Sequence, residues 1–252
     1  MRVIVTRPAG QAQPWVQSLR ERGVDAAALP LIAIVAPLDT APLAQAWQQL
    51  PQQRLAVFVS PNAAEQFFAH RPAGVGWPDA VTAASTGPGT TLALQRLGVP
   101  PHAIVEPASD AAQFDSESLW ARLAEHDWTD EPVLLVRGDG GRDWLADTLR
   151  RHGARLAFVA AYRRTAPHLD AAEQALLADA IARPGEHLWI FSSSEAIDHL
   201  LRACDGQRWA ASRALATHPR IAESARSAGF GEVLETRPTL DAVVACIQSI
   251  AS

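Results

Sequence analysis

Six short apolar runs constrain this chain more than any other feature. VIVT (3–6), AVFVS (56–60), AVTAAS (80–85), VLLVR (133–137), LWIFSS (188–193) and RALAT (213–217) each lead into a turn and then a helical pattern. Continuous apolar runs of this length suit strands covered on both faces, as in parallel sheets. The helical patterns that follow are WVQSLRERG (15–23), PNAAEQFFAH (61–70), TLALQRLG (91–98), DWLADTLRRHG (143–153), SEAIDHLLRA (194–203) and RIAESARSAG (220–229). Several end at a glycine suited to a C-cap. Strands alternating with helices predict parallel α/β layers, and 252 residues suffice for two such domains.

The pattern also repeats. Arg7 ends VIVT as Arg137 ends VLLV, and Gly23 and Gly153 close the following helices, both pairs standing 130 residues apart. FVSPNAAEQF resembles FSSSEAIDHL, with Ser60 opposite Ser193; GPGTTLALQRLG resembles HPRIAESARSAG, with Pro88 opposite Pro219; DSESLWARL (115–123) answers TLDAVVACI (239–247). Any one strand-turn-helix likeness is common in α/β chains. Four in the same order indicate a duplicated unit, which by itself suggests a cut near residues 128–132.

Composition removes several function classes. All 22 basic residues are arginine, so a Schiff-base lysine and the lysine of a phosphate loop are both excluded. A net charge of −5 with no local basic patch argues against a nucleic-acid partner. Cys204 and Cys246 are the only cysteines, and the eight histidines lack HxxxH spacing, so no metal site is expected. No run approaches the ~20 apolar residues of a membrane span, and MRVIVTRPAG lacks the features of a secretion signal. The expected location is cytoplasmic.

In open parallel sheets ligands bind at the carboxyl ends of the strands, where helix N-termini present free N–H groups. The candidate loops are Thr6-Arg7-Pro8, Ser60-Pro61-Asn62, Gly87-Pro88-Gly89-Thr90, Arg137-Gly138-Asp139, Ser192-Ser193-Ser194 and His218-Pro219-Arg220. All suit anions. GPGTTL lacks the third small residue of the dinucleotide fingerprint, and GDGGRD (138–143) is also off pattern. No GxSxG elbow is present; Ser60, Ser116 and Ser193 read as helix N-caps, and Asp139 and Asp143 as solvated loop and first-turn acids.

These blocks, in this order, resemble the uroporphyrinogen-III synthase family: VTRPAGQ, FVSPNAAEQF, GPGTTLALQRLGV, DSESLWARL, VLLVRGDGGRDWLADTLRRHGA running into VAAYRRT, and ATHPRIAESARSAGF. RGDGGRDWLADTL followed by YRRT is the most specific part, and the likeness covers nearly the whole chain. It implies a cofactor-free lyase that closes the linear tetrapyrrole hydroxymethylbilane into uroporphyrinogen III, inverting ring D and releasing water. The substrate carries four acetates and four propionates, which fits the anion-friendly loops.

The resemblance also implies an architecture: two similar three-layer parallel-sheet domains joined by a two-stranded β hinge, with a ligand cleft between them. Residues 1–35 with 166–252 would form one domain and 38–158 the other, with 30–37 and 158–165 as hinge segments. By match to the family's motifs, Thr90 stands where a substrate-facing threonine is found, and Tyr162, the sole tyrosine, where the cleft tyrosine is found. Tyr162 is the candidate proton donor or water-positioning group. Expected substrate-binding residues are Arg7, Ser60, Pro61, Asn62, Gly87, Gly89, Arg137, Gly138, Ser193, Ser194 and His218. The last block departs from the family, with His218-Pro219-Arg220-Ile221 where relatives carry G-x-T-A, and Arg220 is a candidate replacement contact for a carboxylate. The expected partner is the small-molecule tetrapyrrole alone, bound by a monomer without membrane attachment. The alternative is a non-catalytic two-domain protein that senses an anionic ligand on the same scaffold.

Overall fold

A computed structural model of the protein describes residues 1–140 and 143–251. In chain order the first half forms β1 (Arg2–Val5), α1 (Ala9–Glu21), β2 (Ala26–Ala28), β3 (Ala33–Val35), α2 (Ala41–Gln49), β4 (Leu55–Phe58), α3 (Pro61–Ala69), β5 (Thr82–Ser85), α4 (Pro88–Arg96), β6 (Ile104–Val105) and α5 (Ser116–Leu123). There follow β7 (Pro132–Gly138), α6 (Trp144–Arg151), β8 (Arg155–Thr165), α7 (Ala171–Ala182), β9 (His187–Phe191), α8 (Ser194–Ala203), β10 (Arg213–Ala216), α9 (Pro219–Ser227), β11 (Glu232–Glu235) and α10 (Leu240–Ala251). The chain divides into two compact units, one of Met1–Ala33 with Thr165–Ser252, the other of Ile34–Arg164.

The first unit holds a five-stranded sheet in the order β11-β10-β9-β1-β2, parallel throughout. Its central strand HLWIF is buried at every residue because each face has its own cover. Leu188 and Ile190 pack with Val3 and Val5, with Val16 and Leu19 of α1, and with Val243 and Ile247 of α10. Trp189 and Phe191 point the other way and stack at 6.1 Å; Trp189 also meets Trp209 edge-on at 5.7 Å, and Trp209 stacks on Phe230 at 5.3 Å. Burying each such side chain contributes about 1.5–3 kcal/mol. The unbroken apolar run is thus the signature of a sheet between two layers.

The second unit is built likewise, around a six-stranded sheet in the order β3-β8-β7-β4-β5-β6. Ala56 and Phe58 of β4 face Trp47 of α2, Phe67 and Phe68 of α3, and Trp77. Leu55 and Val57 face Leu119 and Leu123 of α5, Trp128, and Leu145 and Leu149 of α6. Each buried indole N–H of this unit finds a carbonyl: Trp47 donates to Phe67 at 2.8 Å, Trp77 to Val81 at 2.8 Å and Trp128 to Leu123 at 2.9 Å. Segments 30–37 and 158–165 contain β3 and the end of β8, hydrogen-bonded neighbours at one edge of this sheet.

The sheet orders explain the internal repeat. With β7, β8, β4, β5 and β6 read as counterparts of β1, β2, β9, β10 and β11, the two sheets share the order of five strands, and β3 is an added edge strand on the second. The contacts match as well, since α1 packs on α10 as α6 packs on α5, and α8 on α9 as α3 on α4. Each unit therefore joins the opening strands of one repeat to the closing strands of the other. The cut at 128–132 that the repeat suggests falls inside the second unit, just before β7.

Local readings hold with two corrections. Ser60 and Ser193 cap α3 and α8, their hydroxyls accepting from Ala63 N–H at 3.1 Å and Glu195 N–H at 3.3 Å. At α5 the cap is Asp115, not Ser116: its carboxylate accepts from Ser118 N–H at 2.9 Å. Helix α1 starts at Ala9 rather than Trp15 and runs through Pro14. The proline removes a single donor, while Gln11 and Ala12 N–H groups bond Pro8 C=O at 2.8 and 2.9 Å and Ala12 is fully buried.

Gly23 and Gly153 both close their helices with φ in the left-handed region, at 78° and 92°. Their surroundings differ, because a Cβ on Gly153 would lie 3.0 Å from Thr129 Cα, whereas one on Gly23 meets nothing within 4 Å. Gly23→Ala should cost about 1 kcal/mol, the left-handed backbone penalty alone, and Gly153→Ala about 2–3 kcal/mol because backbone must also move. Urea denaturation midpoints check this. Equal losses at the two positions would remove the Thr129 contact as a factor.

Candidate active site at the strand tips

A sheet with this order has one place where successive connections leave in opposite directions, and loops diverging there leave a crevice. In the second unit that point lies between β7 and β4, in the first between β1 and β9. The loops at these points carry Arg137 and Ser60 in one unit, Arg7 and Ser193 in the other.

In the second unit a pocket of about 270 Å³ opens beside this point, lined by Val59, Ser60, Thr86, Phe114, Asp115, Ser116, Arg137, Gly140, Tyr162 and Arg164. Tyr162 is 3% exposed, and its hydroxyl lies 3.1 Å from Ser60 Oγ. Two features set the ring there. The register of β7 against β8 slips between Arg137 and Gly138, so that Arg137 faces Ala160 and Gly138 faces Tyr162. Such bulges re-aim side chains next to sites. Gly138 then leaves room for the phenol, since a Cβ there would stand 3.1 Å from two ring carbons. Asp139 N–H donates to Tyr162 C=O at 3.0 Å and closes the arrangement.

Around this couple the polar groups are held by short bonds. Thr86 Oγ1 donates to Val59 C=O at 3.1 Å. Pro61 and Asn62 open α3 directly after the capping Ser60. Gly87 precedes α4 in extended backbone, where a Cβ would lie 3.0 Å from Phe114 Cβ, while one on Gly89 would make ordinary contact with Pro61 at 3.7 Å. Thr90 is 3% exposed and is not among the pocket-lining residues; Thr86 takes that place. Beneath the loop Ser85 and Thr91 hydroxyls lie 2.6 Å apart, and Thr91 donates to Glu106 at 2.6 Å. No motif marks Glu106, because its partners come from a different strand and helix.

Arg137 is not simply a free cation at the rim. It ion-pairs with Asp143, an acid that local pattern alone reads as solvated, and its guanidinium lies 5.0 Å from the Phe158 ring centroid. Loop proximity brings the two together, six residues apart, once the chain turns from β7 into α6.

At the equivalent point of the first unit, Thr6 Oγ1 donates to Ile190 C=O at 2.7 Å and ties β1 to β9. The Arg7 guanidinium lies over the Trp15 indole, 4.1 Å from its centroid, and donates to Gln11 Oε1 at 3.4 Å. Burial pulls its pKa down to about 10, which still leaves it charged at neutral pH. Ser194 Oγ accepts from Ser224 Oγ at 2.8 Å. His218 caps α9 through Nδ1, which accepts from Arg220 N–H at 3.1 Å and must therefore carry no proton. Arg220 folds back, with Nη2 3.5 Å from His218 Nε2. Ile221 is 9% exposed and packs inward.

Among the described residues no group of three or more His, Cys, Asp or Glu is placed to hold a metal ion, and no helix is long and apolar enough to cross a membrane. The strand-tip loops contribute hydrogen bonding and charge: a couple between the buried Tyr162 phenol and the half-buried Ser60 hydroxyl, helix N-termini and arginines.

Comparison with known proteins accords with this arrangement. The family model described as uroporphyrinogen-III synthase HemD matches residues 13–245. Uroporphyrinogen-III synthase of Salmonella typhimurium is 29% identical, covering 92% of this chain and 94% of the relative; that of Escherichia coli is 28% identical with the same coverage. Among solved structures, a mutant uroporphyrinogen III synthase of Thermus thermophilus superposes with a TM-score of 0.59 at 19% identity, covering 100% of this chain and 97% of the other. The Helicobacter pylori enzyme gives 0.61 at 16% identity, covering 99% and 100%. The chain belongs to the uroporphyrinogen-III synthase family.

Proposed function

We propose that this protein closes hydroxymethylbilane to uroporphyrinogen III, with inversion of ring D and loss of water, in haem biosynthesis. It acts without a cofactor, as a cytoplasmic monomer. The observation that carries this reading is the buried Tyr162 phenol 3.1 Å from the half-buried Ser60 hydroxyl, set at the carboxyl ends of β4 and β7 beside Arg137. A substrate bearing eight carboxylates needs arginines and free N–H groups to hold it, and these are what the strand tips supply. A pocket of about 270 Å³ lies near the lower end of small-molecule clefts and accommodates one substituted pyrrole ring rather than four.

The leaving group departs from the terminal hydroxymethyl carbon. The electron pair of the neighbouring pyrrole nitrogen pushes out the C–O bond, the Tyr162 hydroxyl gives its proton to the departing oxygen, and water, an azafulvenium cation and the Tyr162 phenolate result. Ser60 holds the phenol at this spot, since its oxygen is itself fixed by the Ala63 N–H. The substituted α-carbon of ring D then attacks that methylene carbon to give a spiro intermediate; the bond from the same ring D carbon to the ring C methylene breaks, leaving an azafulvenium on ring C, the free α-carbon of ring D attacks it, and the proton on that carbon returns to the Tyr162 phenolate. Because the pyrrole drives the bond cleavage, positioning outweighs proton donation. In this scheme Arg7, Arg137, Ser193, Ser194, His218, the Ser60 hydroxyl and the Asn62, Gly87 and Gly89 N–H groups receive carboxylates, and Arg220 takes over from the threonine that relatives carry.

Freshly made hydroxymethylbilane closes unaided to uroporphyrinogen I. Incubation with the protein should give the type III isomer, resolved chromatographically; a product of type I alone, at the uncatalysed rate, overturns the assignment. Tyr162→Phe should lower kcat by at most about 10²- to 10⁴-fold, the range of general acid catalysis, with little change in KM. Gly138→Ala, which displaces the phenol without removing it, should cost about 10- to 100-fold. Unchanged turnover in folded Tyr162→Phe leaves the ring a packing role only.

A further inference from the structure

The duplication sets Arg7 and Arg137 at equivalent strand tips, yet one has a neutral neighbour and the other an anionic one. Arg137 faces an acid: Asp143 pairs with its guanidinium, and the Asp143 side chain makes no capping bond to α6, so its partner is the arginine. Arg7 faces a neutral amide, Gln11, through a long bond of 3.4 Å, and lies against the Trp15 indole. Its Nε is buried with no hydrogen-bond partner, and no carboxylate among the described residues stands within ion-pair distance of it. A partly buried cation that lacks both a counter-ion and a full set of acceptors is costly to hold, and an anion from outside is what would complete it. Trp15 lies against the face of the guanidinium, so a carboxylate would approach its in-plane N–H groups.

We infer that the duplicated arginines are used unequally: Arg7 is an open seat for a substrate carboxylate, whereas Asp143 is an internal carboxylate that fills the matching seat on Arg137 and yields it to the substrate. This rests on the reading that the chain binds a polycarboxylate tetrapyrrole. Gln11 and Trp15 are then positioning residues for one seat, and Asp143 is a competitor for the other. Binding at Arg7 gains a full charge-assisted pair. Binding at Arg137 exchanges one carboxylate for another, so its net gain is smaller.

Two nearly isosteric variants exchange the two situations. Gln11→Glu places in the first unit the internal acid that the second already has. It should raise KM for hydroxymethylbilane about tenfold with kcat nearly unchanged, yet raise the thermal midpoint, because it supplies the missing counter-ion in the first turn of α1. Asp143→Asn should lower KM about two- to fivefold, the worth of a half-exposed ion pair, and in an Arg137→Ala background it should do nothing. An unchanged KM in Gln11→Glu, or an Asp143→Asn effect that is absent, opposite in sign or persists without Arg137, overturns the inference. A wild-type protein that forms no type III product instead overturns the function on which it rests.

Discussion

Parallel strands covered on both faces govern the whole of this molecule. Once Leu188 and Ile190 face one helical layer while Trp189 and Phe191 face the other, the sheet has no free face on which to build a site. The same holds for Leu55 and Val57 against Ala56 and Phe58. Polar groups are left to the strand ends, where the carbonyl ladder stops and helix N-termini begin. The place where connections leave in opposite directions is where a ligand finds both room and donors.

Duplication gives this protein that place twice, and the two copies have diverged in chemistry more than in fold. Equivalent strands, helices and helix-closing glycines persist, while the tips do not match. One tip carries a buried phenol against a capping serine and an arginine already paired; the other has a stacked arginine that meets no acid among the described residues and a histidine that caps a helix through its ring nitrogen. The divergence is expected of a site with an asymmetric task. Core positions are held by packing on two sides, whereas tip residues are constrained only by what they bind.

The Tyr162 arrangement shows how several weak constraints fix one group. A single-residue slip of β7 against β8 turns the ring toward the pocket, the missing side chain at Gly138 admits it, and Ser60, already committed to capping α3, holds its hydroxyl. None of these bonds is strong alone. Together they leave the phenol one position, which is what a reaction governed by orientation requires.

The parallel α/β layers, the repeat, the caps at Ser60 and Ser193 and the loops that hold the polar groups are all legible in the amino-acid order, because they depend on periodicity and on residues adjacent in the chain. Resemblance to a family adds Tyr162 and a discontinuous assembly. Folding in three dimensions was needed to establish that β1 pairs with β9 and β4 with β7, that Thr86 rather than Thr90 lines the pocket, that Glu106 anchors the loop beneath which it lies, and that Asp143 pairs with Arg137 while Arg7 meets no acid among the described residues. Strand order and side-chain pairing arise from contacts between residues far apart in the chain. A bulge of one residue or a missing Cβ at Gly138 shifts those contacts without leaving a trace in local pattern.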